Sequence, residues 1–354
     1  MSTFVIGYYA LLIGASCLAA YYNKRNIFVL IFSLTLASFV MGIIGGVPAL
    51  RFVTTAAGIL ALAAGTSYAF REFLIIITPE GVAKELRTAP LTASFGMFVI
   101  FTYAIAGIFA PVIAPFGEAE VISSAFAPPD ETMLLGADQL GRDMFSRIIY
   151  GARNSVGLAL LATMLAFVMG ALAGLLAATK GGWFDQFIGR LADVIMSVPS
   201  LIFSLLMLSI FGTNLGVIVV VVAIIYAPRV FRLTRAVAGN VVVMDYIEAA
   251  KLRGEGTWYL IRREILPNST APLIAEFGLE FCFVFLLIAG LSFLGLGIQP
   301  PTADWGSMVR ENATLISFGE MTPLIPAAAI ALLTVAVNFV VDWMLFRSSG
   351  LKEM

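Results

Sequence analysis

The sequence predicts an all-α protein that crosses a membrane many times, and three observations carry that prediction. Of 354 residues, 60% are hydrophobic and only 12% charged, against about 25% charged in an ordinary soluble domain. Eight stretches of at least 18 residues carry no charge (1–23, 26–50, 52–70, 88–117, 154–179, 194–228, 281–303 and 321–341), and a bilayer-spanning helix needs about 20 apolar residues. Lys and Arg are also distributed asymmetrically between the loops that such spans would create.

Taken in order, the predicted crossings are 4–22, 27–47, 53–77, 91–113, 154–178, 187–210, 215–234, 270–297 and 323–346. Arg71 and Glu72 interrupt the third, which still fits within 53–70. The sixth and seventh come from dividing the 194–228 stretch at the turn-like Phe211-Gly212-Thr213-Asn214. With the N-terminus outside and the C-terminus cytoplasmic, sixteen of the 21 Lys and Arg residues face inward. Only Arg51, Arg142, Arg147, Arg153 and Arg310 face outward. Gly14-Ala15-Ser16-Cys17 faintly resembles a lipoprotein cleavage site. The basic pair Lys24-Arg25 follows the first apolar run instead of preceding it, so that run reads as an N-out anchor rather than a cleaved signal.

Composition removes several chemistries. The chain has no histidine, so His proton relays, His metal sites and Ser/Cys–His catalysis are unavailable. Cys17 and Cys282 lie in apolar runs and are expected to pack as small hydrophobes. A formal net charge of -1 without a basic cluster gives no reason to expect nucleic acid as a partner. Neither a catalytic residue nor a metal site is expected.

Two hydrophilic segments stand out. The outer one, 114–153, carries six carboxylates and is broken by Pro115, Pro128 and Pro129; composition alone reads it as a solvated connector. The inner one, 236–269, has the pattern of two short helices around a bend. Asp245 and Glu248 have capping-box spacing, and Val243, Tyr246, Ile247 and Ala250 share a helical face. Gly254 and Gly256 permit a sharp redirection. Thr257 is placed to cap a second helix whose Trp258, Ile261 and Ile265 share a face and which Pro267 should stop near Leu266. Such a knuckle could lie on the membrane surface or fit a groove on a partner protein.

Glu248-Ala249-Ala250, Gly254 six residues after the Glu, and Ile265-Leu266-Pro267 resemble the EAA loop of ATP-binding-cassette importer permeases. The run Leu135-Gly136-Ala137-Asp138-Gln139-Leu140-Gly141-Arg142-Asp143, then Ser146-Arg147 and Tyr150-Gly151-Ala152-Arg153, is similar to the second permease subunit of the dipeptide/oligopeptide/nickel group. So is Leu291-Ser292-Phe293-Leu294-Gly295-Leu296-Gly297 with Pro300-Pro301 and Trp305-Gly306. The resemblance covers about 90–347 and implies a type I importer permease core of six transmembrane helices. About three extra helices, within 1–80, precede it; 81–347 would be the permease domain, with 114–153 extracytoplasmic and 240–268 the cytoplasmic coupling loop.

The same resemblance implies the assembly: a second homologous permease subunit, two cytoplasmic ATPases, an extracytoplasmic solute-binding protein, and a prokaryotic plasma membrane around them. Glu248, Ala249, Ala250, Gly254, Ile265, Leu266 and Pro267 would couple to the ATPase. Asp138, Gly141, Arg142 and Asp143 would form the outer motif. Arg253 and Glu255-Gly256 depart from the usual apolar residue and Ala-Ser, as expected of docking specialised for one ATPase. Ile288 stands where many relatives carry a glutamate, so no role of that glutamate transfers.

Ionisable groups within spans face the bundle interior or a cavity. Asp193 is expected to cap or to pair with Arg190 or another basic residue, with gating as the alternative. Glu276 and Glu280, one turn apart, either line an inward-open vestibule or pair with Arg229, Arg232 or Arg235. Asp342 reads as an interfacial anchor, and Gly170-x-x-x-Gly174 as helix packing.

The expected function is therefore the permease subunit of an ATP-driven, binding-protein-dependent importer, with dipeptides or oligopeptides first among solutes and oligosaccharides, opines or nickel chelates as alternatives. No Gly-x-x-x-x-Gly-Lys-Ser/Thr loop occurs, so ATP and Mg belong to the partner subunits and this chain needs no cofactor. An ion-coupled secondary transporter would want midplane acidic residues and paired broken helices, and would run on a gradient without ATP. An intramembrane enzyme would need a convergent Ser/Lys or paired Asp site, and turnover by the isolated chain would reveal it.

Overall fold

The computed structural model describes Ser33 and residues 48–348, with side chains of the continuous part from Ile59 onward. The first two predicted crossings, apart from Ser33, and Cys17 with them, lie outside the described residues. Contacts divide the chain into two units, 1–79 and 80–354. In the first, helix α1 (Pro48–Ile77) runs through the charged pair without a break. Arg71 reaches Glu72 at 3.1 Å and lies 4.9 Å from the Tyr68 ring centroid, so two adjacent opposite charges neutralise each other locally.

The regular secondary structure described in the second unit is helical, with only isolated bridges in the irregular segment 114–143. Its elements are α2 (Glu80–Leu86), α3 (Leu91–Ile108), α4 (Met144–Lys180), α5 (Gly182–Ser197), α6 (Ser200–Phe211), α7 (Leu215–Val242), α8 (Asp245–Leu252), α9 (Thr257–Phe293), α10 (Trp305–Asn312) and α11 (Leu324–Ser348). Among the described residues six helices are long and apolar enough to cross a membrane, or seven if the bent pair α5–α6 is one span. Those seven correspond to the third through ninth predicted crossings.

The core is built on close helix crossings. A methyl group at Gly170 of α4 would sit 2.4 Å from the Ala227 carbonyl oxygen of α7, and one at Gly174 would sit 2.8 Å from that of Phe231. Missing side chains let these two backbones touch, so the glycines act in packing, as their spacing suggests. Gly96 of α3 meets α11 in the same way, with a virtual Cβ 2.3 Å from the Ala336 oxygen. The apolar cluster that fills the bundle includes Ile218, Phe285, Leu291 and Trp305. Cys282 is buried in it, its Sγ 3.8 Å from the Thr334 oxygen.

Three expectations about the spans are corrected. The sixth crossing is not one straight helix, because α5 and α6 meet at 89°. Pro199 has no N–H to donate and drives Val198 into extended backbone (φ -92°, ψ 129°). The eighth crossing begins at Thr257, well before 270, and Pro267 does not end a helix. A π-helical stretch, Leu260–Ile265, leads into the segment that has Pro267 in its first turn. The wider register accommodates a residue that cannot donate and that crowds the carbonyl four residues earlier. The fourth crossing stops at Ile108 and re-forms as a short turn, Ala110–Ile113, around Pro111.

Candidate functional site

The elbow at 243–256 joins α7 to α9. Helix α8 begins at Asp245, but its N-cap is Met244 and no side chain caps it. The capping box is thus not formed: Asp245 is already the first helical residue, where its charge still favours the helix N-terminus. Likewise Thr257 is helical and Gly256 is the cap, in ordinary extended conformation (φ -76°, ψ 161°). Gly254 alone turns the chain, at φ +87°, a region that favours glycine because it has no Cβ.

Packing selects a narrower face than helical spacing suggested. Ile247 and Ala250 are buried with Leu175, Ala238, Val241, Leu260, Ile261 and Ile265. Val243 and Tyr246 face outward, as does Trp258, at 79%, 43% and 61% exposure. With Met244, Tyr259 and an 86% exposed Leu252 they make an apolar surface around the exposed Glu248 and Ala249. Leu266 and Pro267 are exposed beyond the buried Ile265.

The bundle charges separate into pairs and singles. Arg232 of α7 holds Asp193 of α5, and Arg235, one turn further along α7, holds Asp185, eight residues earlier in α5. Asp193 thus pairs with a basic residue of a neighbouring helix and not with Arg190. Arg229 takes neither Glu276 nor Glu280 as an ion-pair partner. Its guanidinium lies 5.2 Å from the Tyr226 ring and 5.1 Å from the Phe283 ring. Glu280 is 2% exposed, with Oε2 unpartnered.

The outer segment is not a solvated connector. Asp138 Oδ1 accepts the backbone N–H groups of Leu140 at 2.8 Å and Arg142 at 3.0 Å. Its Oδ2 accepts from Arg142 Nε at 2.7 Å and lies 3.2 Å from Arg147 Nε, the latter without a hydrogen-bonding angle. Glu311 of α10 completes the quartet, 3.0 Å from Arg142 Nη2 and 3.4 Å from Arg147 Nη2. Two cations and two anions, all nearly inaccessible, satisfy one another as buried charges must. Gly141 (φ +78°) approaches the Ser123 oxygen so closely that a Cβ would lie 2.0 Å from it. Asp143 caps α4 through Ser146, accepting from its N–H at 2.8 Å and its Oγ at 2.6 Å.

A π turn at Ala152–Val156 widens α4 beside this quartet and presents Asn154 and Ser155 to the loop before α10. Asn154 Nδ2 donates to the Ala303 oxygen at 2.8 Å, Ser155 Oγ donates to Asp304 Oδ1 at 2.7 Å, and the Trp305 N–H donates to Ser155 Oγ at 3.0 Å. Trp305 fills the space over Gly151 and donates Nε1–H to the Ile148 oxygen at 3.0 Å. Burial holds the Asp304 carboxyl above its ordinary range, and bonds from Ser307 and Ser155 oppose that shift.

The profile of the family described as "Binding-protein-dependent transport system inner membrane component" matches residues 166–348. The Di/tripeptide transport system permease protein DppC of Pseudomonas aeruginosa is 35% identical over 254 residues, 70% of this chain and 84% of that protein. This chain belongs to that permease family. The Dipeptide transport system permease protein DppC of Alkalihalophilus pseudofirmus is 34% identical over 73% of this chain and 85% of its own length. Among solved structures, the MetNI methionine ABC transporter in inward-facing conformations aligns with a TM-score of 0.48 at 17% identity, over 58% of this chain and 97% of that one. The permease is thus an all-helical, multi-pass membrane subunit of an ATP-binding-cassette importer.

Several residues that organise the 114–153 segment of the permease escaped sequence reasoning as individuals. Glu118 accepts from Asn154 at 3.1 Å and from the Ala303 N–H at 3.0 Å, and Glu311 sits 169 positions from its partner Arg142. The signal within reach was the surplus of outward arginines, Arg142 and Arg147, beside a segment rich in carboxylates.

Proposed function

We propose that this permease imports short peptides, di- and oligopeptides foremost, as the membrane half of an assembly in which ATP is hydrolysed elsewhere. The carrying observation for the solute is the set of relatives named as dipeptide permeases, most of whose length this chain covers. Its partners would be a second homologous permease subunit, two cytoplasmic ATPases that use ATP and Mg, and an extracytoplasmic solute-binding protein. The N-terminus would lie outside and the C-terminus in the cytoplasm, in accord with the inward excess of Lys and Arg. Helices within 1–80 would stand outside the permease domain proper.

The coupling element in this reading is α8 with the Gly254 turn. An exposed apolar surface around a small-residue helix end is what a groove on a protein partner requires, and its energy is best recovered by covering it. Glu248 and Ala249 would contact the ATPase. Ala250, Ile265 and the rest of the buried face would tie the elbow to α4 and α7, while Leu266 and Pro267 lead into α9. ATPase closure would then push one rigid body. Asp138, Gly141, Arg142 and Asp143 would hold the outer face in shape for the binding protein.

Gly254→Val tests the coupling. No atom crowds a Cβ there, so the cost is backbone strain at φ +87°, about 1–3 kcal/mol. Insertion and assembly are expected to persist while solute-stimulated ATP hydrolysis and uptake fall together. Normal uptake at normal expression, or no ATPase captured by crosslinkers at Glu248, would overturn the assignment.

A further inference from the structure

On the described parts of α7 and α9, three charged side chains, Arg229, Glu276 and Glu280, lie within about one helical turn of the same depth, and none is held in an ion pair. Arg229 is 14 residues from the outer end of α7 and Glu280 is 13 residues from that of α9, each about 20 Å along its helix and so within a hydrocarbon layer about 30 Å thick. Arg232 and Arg235 are neutralised by Asp193 and Asp185, whereas Arg229, Glu276 and Glu280 form no ion pair or side-chain hydrogen bond among the described residues. Arg229 is exposed, Glu276 half-buried and Glu280 buried.

The geometry is specific. The Arg229 guanidinium carbon lies over the rings of Phe283, one turn from Glu280, and of Tyr226, one turn from Arg229, and the Tyr226 hydroxyl donates to the Phe283 carbonyl oxygen at 3.1 Å, locking α7 to α9. Among the described residues no hydrogen bond or ion pair takes up the Arg229 N–H donors, so they remain for an oxyanion. Glu280 Oε2 is a buried acceptor with no donor, which costs free energy until something supplies one. Charges at this depth are too expensive to face lipid.

We propose that Glu280 and Glu276 on one side and Arg229 on the other form a station in the translocation pathway for a zwitterionic solute, the carboxylates holding its ammonium group and Arg229 its carboxylate. This deepens the peptide reading above and rests on it: a short peptide with a free amino group supplies the missing donors, and its free carboxylate meets the N–H donors of Arg229.

The test uses the complete transporter in proteoliposomes with its binding protein, and compares uptake of Ala-Ala with that of its C-terminal amide. Glu280→Gln is expected to lower uptake of both by about tenfold to a hundredfold, the scale of one lost charged hydrogen bond, with subunit assembly and peptide capture by the binding protein unchanged. Glu280→Asp, which keeps the carboxylate, is expected to retain most uptake. Arg229→Gln is expected to lower uptake of Ala-Ala and spare the amide. Wild-type uptake in Glu280→Gln, equal losses for both peptides in Arg229→Gln, or recovery in the double variant R229Q/E280Q would overturn the station. Recovery would mean that the two residues serve only each other. A wild-type complex that imports neither peptide would instead refute the peptide reading itself.

Discussion

Asp138→Asn removes one charge from the outer quartet while keeping its shape, and the structure sets the size of the effect. The carboxylate receives two backbone N–H bonds and one from Arg142, and it lies 3.2 Å from Arg147. Asn retains one acceptor oxygen, so part of the backbone bonding survives. What is lost is the counter-charge: two buried guanidinium groups, at 2% and 0% side-chain exposure, are left to share Glu311. Breaking a buried ion pair by removing one partner costs about 3–5 kcal/mol, which at about 2–4 °C per kcal/mol corresponds to a melting shift of roughly 6–20 °C. The assay is thermal unfolding of the purified permease in detergent, followed by the loss of monodisperse protein. The double variant D138N/R147M leaves Arg142 with Glu311 as a balanced pair and is expected to recover about 1–3 kcal/mol relative to additivity. A D138N melting temperature equal to wild type, or strict additivity in the double variant, would refute the view that charge balance holds this face together.

Two further outcomes follow from the packing and the loop before α10. Gly170→Leu places a side chain where even a Cβ meets the Ala227 oxygen at 2.4 Å, and overpacking of this kind costs about 1–3 kcal/mol or more; a large loss of folded, monodisperse protein is expected, and wild-type yield and melting would contradict the close crossing. Asp304 has its folded pKa raised by burial, so its contribution favours the fold below the unfolded value of about 3.9 and is lost as pH rises through the folded pKa. The stability difference between wild type and Asp304→Asn should therefore shift against wild type as pH rises from 4, and a difference that is flat with pH would sink this account.

Much of the fold was legible because apolar length and charge asymmetry act residue by residue: a helix in lipid must satisfy its own backbone, so long uncharged runs announce the spans. The breaks were less legible. Pro199 was visible, yet whether a proline bends, ends or merely enters a helix depends on local register, and the π stretch before Pro267 gave the opposite outcome to the 89° bend at Val198-Pro199. At the elbow, Gly254 was found from its motif, while the capping box failed because Met244 took the cap position and left Asp245 inside the helix.

By itself the sequence determined that this chain is a multi-pass helical protein without a nucleotide loop, because composition and spacing already encode the solvent each segment tolerates. Tertiary structure alone decided which charges meet. Asp138, Arg142, Arg147 and Glu311 come from segments up to 173 positions apart, and no local pattern reports a pairing made by folding one helix end over another. It likewise decided that Arg232 and Arg235 are held in ion pairs while Arg229 lies over two aromatic rings. A charge buried in a low-dielectric bundle is defined by its neighbours in space, and chain order does not carry that information.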